Sequence, residues 1–170
     1  AQITQRVGLT DIKVSYHSPL VNGRTVWGEL VPYKQIWRAG ANENTVISFS
    51  SDLMIERKAL AAGTYGLHMN PDKQEWIDVF SKNSTSWGSY FYKPEEDALR
   101  ITVKSYEGSF QEWLSYDFTD RQSNSVVLVL AWEKMRVPVK VAVDVKNIVV
   151  ASMRNELRST PAFSWRGWYD

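Results

Sequence analysis

The stretch VVLVLAWEKMRVPVKVAV, residues 126–143, decides the fold. From Val126 to Trp132 apolar side chains fall on both faces of an extended chain, which predicts a central β-strand covered on each side. From Val137 to Val145 every second residue is a valine, which predicts a strand with one buried face. Pro138 belongs to the outward set and cannot donate to a hydrogen-bond ladder, so it marks a sheet edge or the start of a strand.

The same period of two recurs along the chain. It predicts further half-buried strands at residues 12–16, 45–49, 77–79, 99–103 and 114–118. Turn signals such as Asn22-Gly23, Ala62-Gly63 and Asn70-Pro71 separate these runs. About eight short strands with such turns between them predict an all-β fold, either an antiparallel β-sandwich or a barrel.

Helical spacing of apolar residues occurs near the C-terminus, between Asn147 and Arg158, and predicts one α-helix there. A chain of 170 residues is long enough to bury one sizeable core. We therefore expect one β-sandwich domain over residues 1–146. The C-terminal helix and an aromatic tail, residues 147–170, should pack on the same domain.

Composition excludes several classes of protein. The 20 basic and 19 acidic residues leave a net charge of +1 and are scattered, which argues against nucleic-acid binding. The chain has no cysteine and therefore no disulfide or thiol chemistry. No apolar run approaches the roughly 20 residues of a membrane span. A chain that begins Ala1-Gln2 is compatible with cleavage of an export signal and equally with a shortened sequence, and we expect a periplasmic or secreted location.

The two histidines, His17 and His68, lie at predicted strand ends. Together with Glu43 they would form two imidazoles and a carboxylate, a ligand set suited to zinc or iron. Their spacing is not a metal signature, so we predict no metal site and no cofactor. No Gly-x-Ser-x-Gly elbow is present, and catalysis as a hydrolase or lyase would have to use Glu43 with His17 or His68.

Aromatic residues are dense in Trp87-Gly88-Ser89-Tyr90-Phe91-Tyr92, and the chain has eight tryptophans in all. Rings such as those of Trp87 and Tyr90, separated by Gly and Ser on a loop, can form a stacking platform for a sugar. The more common use of such residues is a corner of the core, with half of the rings facing inward.

Residues 22–33 fit neither period and predict an ordered loop with a helical turn. Five polar residues lie in this loop and just after it: Arg24, Tyr33, Arg38, Asn42 and Glu43. In a structural interpretation, Arg38 pairs with Glu43 and caps loop carbonyls. In a functional one, these residues line a cleft that grips an anionic or polyhydroxy ligand. Trp27 and Trp37 could stack on the guanidinium groups in either case.

These residues carry a family resemblance. The segments QRVGLTDI (5–12), NGRTVWGELVPY (22–33) and IWRAGANE (36–43), continued by AGTY (62–65), WG (87–88) and LAWE (130–133), resemble the bacterial family called domain of unknown function 2911. The resemblance covers about residues 3–143 and implies a β-rich exported domain without an established activity. Members commonly carry Tyr-Ser-Arg-Pro where this chain has Tyr16-His17-Ser18-Pro19, so an arginine is replaced here.

Three functions follow as expectations. The first is a non-catalytic exported domain that binds a glycan or another polar small ligand through the arginines, His17, His68, Trp87 and Tyr90. The second is the hydrolase or lyase using Glu43. The third is an assembly module in which an exposed edge at Val137 to Val145 pairs with a second chain, and the oligomeric state stays open.

Overall fold

The computed structural model describes residues 1–158, which form two antiparallel β-sheets and one α-helix. One sheet has six strands in the order β1-β2-β3-β6-β7-β8, and the other has four in the order β5-β4-β10-β9. The strands are β1 (Gln2–Val7), β2 (Thr10–Ser15), β3 (Thr45–Phe49), β4 (Leu53–Ile55), β5 (Lys58–Leu60), β6 (Gly63–Asn70), β7 (Glu75–Ser81), β8 (Asp97–Lys104), β9 (Tyr106–Thr119) and β10 (Ser125–Ala142). The predicted all-β sandwich is confirmed, and it does not close into a barrel.

The core lies between the two sheets and follows the alternation read from the sequence. On β2 the side chains of Ile12 and Val14 are fully buried, and on β9 Leu114 and Tyr116 face them from the other sheet. The rings of Tyr16 and Tyr116 meet edge to face with centroids 4.9 Å apart. Period two therefore located the buried faces of β2 and β9 correctly. On β7 it was wrong, because Ile77 is exposed and Asp78 is buried.

Strand β10 contains both strands predicted from residues 126–143. It is 18 residues long, and a straight strand of that length would separate its ends by roughly 60 Å. Yet the N–H of Val143 donates to the carbonyl oxygen of Asn124 at 2.8 Å. The strand therefore turns back on itself, and Glu133 in its middle has a left-handed φ of 52°.

The predicted exposed edge at Val137 to Val145 is covered in part. Val141 pairs with Ile55 and Ala142 pairs with Met54, so β4 lies beside β10 at these two residues. On that side of β10, Val141 and Ala142 are therefore not free to pair with a second chain.

Helix α1 (Val145–Glu156) begins two residues before the predicted start. Asp144 caps it, because its side chain accepts a hydrogen bond from the N–H of Asn147. Val145 and Ile148 pack on the core. The aromatic tail from residue 159 onward lies outside the described residues.

The long connection between β2 and β3 is built from turns and isolated bridges, so the predicted helical turn in residues 22–33 is wrong. Its indoles enter the core instead. Trp27 lies 5.0 Å from Trp76 and 5.7 Å from Trp132 between ring centroids, and Trp37 lies 6.0 Å from Trp132. The predicted stacking of Trp27 and Trp37 on arginines is therefore wrong, because both rings pack on other tryptophans.

Candidate functional site

Arg38 borders a small open cavity on the surface of the six-stranded sheet. The cavity has a volume of about 210 Å³. It is lined by Ile36, Trp37, Arg38, Ser89 and Tyr90. Two segments that are distant in sequence thus meet here, and we call this the Arg38 cavity.

The Arg38 side of the cavity is held rigidly by the core. Trp37 and Met69 exchange two backbone hydrogen bonds of 2.7 and 2.8 Å, so this segment runs alongside β6. The buried carbonyl of Ala39 accepts from the hydroxyl of Tyr116 at 2.8 Å and from that of Thr45 at 3.1 Å. Because Tyr116 belongs to the opposite sheet, the Arg38 segment is anchored through the whole sandwich.

The other side of the cavity is the loop of residues 82–93, which folds back over the outer face of β6. Nδ1 of His68 lies 2.8 Å from Oγ of Ser89, and the His68 ring lies 5.2 Å from the ring of Tyr92. Burial lowers the pKa of His68 to about 4, an effect that the nearby Asp97 carboxylate opposes. At neutral pH the His68 side chain is therefore uncharged where it contacts the loop.

A polar network fixes the far end of the same loop. The hydroxyl of Tyr92 donates to Oδ2 of Asp97 at 2.8 Å and accepts from Arg100 at 2.6 Å, while Nε of Arg100 donates to the same carboxylate. Burial, and after it the Asp97 carboxylate, raises the pKa of Tyr92 to about 12. Tyr92 therefore points inward as a neutral hydrogen-bonding group.

The remaining aromatic side chains of this loop point outward. Trp87, Tyr90 and Phe91 expose 54%, 77% and 67% of their surface. The residues form turns rather than a strand, so the alternation expected of an extended run, with half of the rings facing inward, does not apply here. Three neighbouring exposed rings are an unusual concentration of apolar surface beside a cavity.

The guanidinium of Arg38 is partly enclosed and has no acidic partner within residues 1–158. Its carbon lies 5.9 Å from the ring centroid of Tyr90, and its Nε atom is buried without a hydrogen-bond partner among the same residues. A Cβ atom at Gly88 would come within 2.5 Å of its Nη1 atom, so the side chain packs directly on the loop backbone. The predicted ion pair with Glu43 is wrong, because Glu43 pairs with a different residue.

That residue is His17, whose Nδ1 atom lies 3.2 Å from Oε2 of Glu43. Both side chains are about half exposed. His68 is not part of this pair, and no cluster of three metal-ligating side chains occurs in residues 1–158. The metal-ligand set of His17, His68 and Glu43 that the sequence analysis considered therefore does not form.

Arg24, Tyr33 and Asn42 have separate surroundings. Arg24 donates to the carbonyl oxygens of Leu20 and Val21, a capping role that the sequence analysis had assigned to Arg38. The ring of Tyr33 lies against Gly28, where a Cβ atom would come within 3.0 Å. Asn42 has a left-handed φ of 59°. Its backbone oxygen lies close to Gly88 and so adjoins the cavity.

The family described as Protein of unknown function (DUF2911) matches residues 1–141. The chain belongs to this family. Searches of curated proteins and of solved structures found no match. Among the helices of residues 1–158, none is long and apolar enough to cross a membrane.

Sequence reasoning on this DUF2911 member missed Ser89, Ile36 and Asn44. With its amide nitrogen turned towards the loop, the buried Asn44 donates to the carbonyl oxygen of Gly88 at 2.6 Å. The position of Ser89 between Trp87 and Tyr90 was visible, but nothing local indicates that a loop after β7 folds back onto β6. That contact is purely tertiary.

Proposed function

We propose that this protein is a non-catalytic binding domain that holds a small polar ligand, a glycan unit or a similar hydroxylated compound, in the Arg38 cavity. The observation that carries the proposal is the guanidinium of Arg38, which is partly buried beside a cavity and has no carboxylate partner in the described part of the chain.

A charge that is partly removed from water without a partner is costly, so proteins pair such arginines or use them for ligands. Here Gly88 and Tyr90 hold the guanidinium in one orientation, which reduces the entropy lost on binding. A planar guanidinium recognises a carboxylate or phosphate through two parallel hydrogen bonds. The preferred ligand therefore carries a negative charge.

The volume of the cavity and the aromatic rings beside it restrict the class of ligand further. A volume of about 210 Å³ is below the range of roughly 300–1,000 Å³ that drug-sized ligands occupy. One sugar ring fits such a space, and the exposed faces of Tyr90 and Trp87 offer apolar surfaces for its C–H groups. A uronic acid, which combines a sugar ring with a carboxylate, matches both features.

Thermal unfolding in the presence of glucuronate, glucose and acetate tests the proposal. Glucuronate should stabilise the protein by about 2.7 kcal/mol at a concentration 100 times its Kd, and glucose and acetate should stabilise it less. The R38Q variant should lose this effect, and Y90A should weaken it. R154Q, which removes an exposed arginine from α1, should respond like the wild type.

The proposal fails if no acidic sugar in such a panel stabilises the protein at millimolar concentration. It also fails if R38Q binds as tightly as R154Q. A shift of the Tyr90 ring resonances upon titration would show directly that binding occurs at this cavity.

A second candidate function is the hydrolase or lyase. The 3.2 Å pair of His17 and Glu43 favours it, because a carboxylate that orients an imidazole is the arrangement of a general base. The neighbouring Ser18 donates its hydroxyl to the carbonyl of Leu114, so it is already engaged and offers no activated nucleophile. Turnover of a glycoside or ester substrate that is lost in both H17Q and E43Q, and kept in R38Q, would favour this candidate over binding.

The proposal includes a periplasmic or secreted location, which the family resemblance alone supports. Fractionation of cells that produce the protein from its natural gene checks it, and recovery with the cytoplasmic fraction would contradict it.

A further inference from the structure

A second cleft lies between the β4–β5 hairpin, β10 and β8. Its volume is about 750 Å³, more than three times that of the Arg38 cavity. Met54, Ile101 and Ala142 provide its apolar part, and Met54 is 39% exposed. We call it the hairpin cleft.

Three cationic side chains line this cleft: Arg57, Lys58 and Lys140. The ammonium of Lys58 donates to the carbonyl oxygen of Arg100 at 2.9 Å and so links the hairpin to β8. Arg57 and Lys140 form no ion pair within the part of the chain that the structure describes. Arg57 and Lys140 are therefore both available to bind a ligand at the opening of the cleft.

Glu56, the acidic residue that lines the cleft, does not neutralise these cations. Oε1 of Glu56 accepts a hydrogen bond from the backbone N–H of Lys140 at 2.6 Å, and this fixes the carboxylate on the β10 backbone. Counting the four charged lining residues, three cations and one anion leave a local charge of +2. The field at the cleft favours an anion.

The backbone of the hairpin supports a role beyond connecting two strands. Ile55 pairs with Lys58, so Glu56 and Arg57 form a two-residue turn, and their φ angles are 46° and 67°. Asn-Gly is the preferred sequence for such a turn, because side-chain-bearing residues at left-handed φ are strained. Here the strained turn carries one carboxylate and one guanidinium to the rim of the cleft.

We infer that the hairpin cleft binds an amphiphilic organic anion, with its acidic head between Arg57 and Lys140 and its apolar body over Met54, Ile101 and Ala142. The charge selects the head, and the exposed methionine, which adapts easily to varied shapes, accepts the apolar part. This site is separate from the Arg38 cavity and does not depend on the function proposed for it.

Methyl NMR on protein labelled at the methionine and isoleucine methyl groups tests the inference with octanoate as the probe. Octanoate should shift the Met54 and Ile101 methyl signals saturably. Its Kd should be at least tenfold lower than those of acetate, which lacks the apolar body, and of 1-octanol, which lacks the charge.

The variant R57Q/K140Q should weaken octanoate binding at least tenfold. R154Q/K134Q removes the same charge from exposed positions outside the cleft and should bind like the wild type, as should R38Q. Thermal unfolding of each variant confirms that it is folded. Absence of saturable shifts, equal affinity for 1-octanol, or unchanged binding by R57Q/K140Q would each overturn the inference.

Discussion

Nδ1 of His68 lies 2.8 Å from Oγ of Ser89, and this contact fastens the aromatic loop to the outer face of the six-stranded sheet. His68 is 2% exposed, although it is an ionisable side chain on a surface strand face. The loop thus covers the histidine, and the histidine in turn supports the loop that forms one wall of the Arg38 cavity. Protein stability and the geometry of the cavity are therefore linked through one imidazole.

The pH dependence of unfolding should report His68. Its pKa is lowered to about 4 in the fold, while the unfolded chain takes up the proton near the ordinary value of 6.5. The unfolded state gains protons first, so stability should be complete above pH 6.5 and decline towards pH 4, by about 2 kcal/mol at pH 5. Urea unfolding of wild type and H68Q at both ends of this range measures it. The free energy of unfolding of H68Q should not show this decline, whereas that of H17Q should show it as the wild type does.

Asp78 should produce the opposite pH dependence. It lies on β7 with both carboxyl oxygens buried and without a hydrogen-bond partner in residues 1–158, and burial, followed by the Glu56 charge, raises its pKa to about 8. The unfolded carboxyl ionises near pH 3.8. The penalty therefore grows as the pH rises from about 4 to about 8.

D78N keeps the shape of the neutral acid and removes this penalty. It should be about as stable as wild type near pH 4 and more stable by roughly 5 kcal/mol near pH 7.5. Denaturant unfolding at the two pH values measures the difference, with E75Q on the same strand as the control. Equal destabilisation by D78N at both pH values would show that Asp78 is not neutral in the fold.

Gly88 and Gly23 form a matched pair for testing the packing of Arg38. Both have left-handed φ, 60° and 67°, but a Cβ atom at Gly23 meets nothing within 4 Å, whereas one at Gly88 would collide with Arg38. G23A should cost about 1 kcal/mol for backbone strain alone. G88A should cost at least 1 kcal/mol more, and it should displace the guanidinium. Equal costs in thermal unfolding would mean that Arg38 moves aside freely.

The carbonyl of Ala39 offers a double-mutant cycle. It accepts from Tyr116 and from Thr45, so either donor alone keeps it satisfied. Y116F and T45V should each cost about 1 kcal/mol. The double variant leaves a buried acceptor without a partner, and its cost should exceed the sum of the single costs by about 1 kcal/mol. Additive costs would indicate that water replaces the donors.

The sequence predicted the β-sandwich well because the buried faces of its strands follow a period of two, as in β2 and β9. It predicted the site less well. Arg38 and Tyr90 were both singled out, but the partner of Glu43 was expected to be Arg38 and is His17. Strand alternation is a local property, whereas an ion pair between loops depends on how the loops cross, which the alternation of residues does not encode. The same limit explains why the pairing of β4 with Val141 and Ala142 of β10 was not predicted.

The hydrogen bond from Val143 to Asn124 also bears on the order of folding events. It closes the single segment that contains β10, and β9 pairs with β10 across a short turn between Thr119 and Ser125. By contrast, joining β2 to β3 requires ordering the whole loop of residues 16–44, and closing longer loops costs more entropy. We therefore expect the β9–β10 unit to become protected from amide exchange before the six-stranded sheet during refolding. The Arg38 segment, which is anchored to Tyr116 on β9, would then be organised on a preformed template.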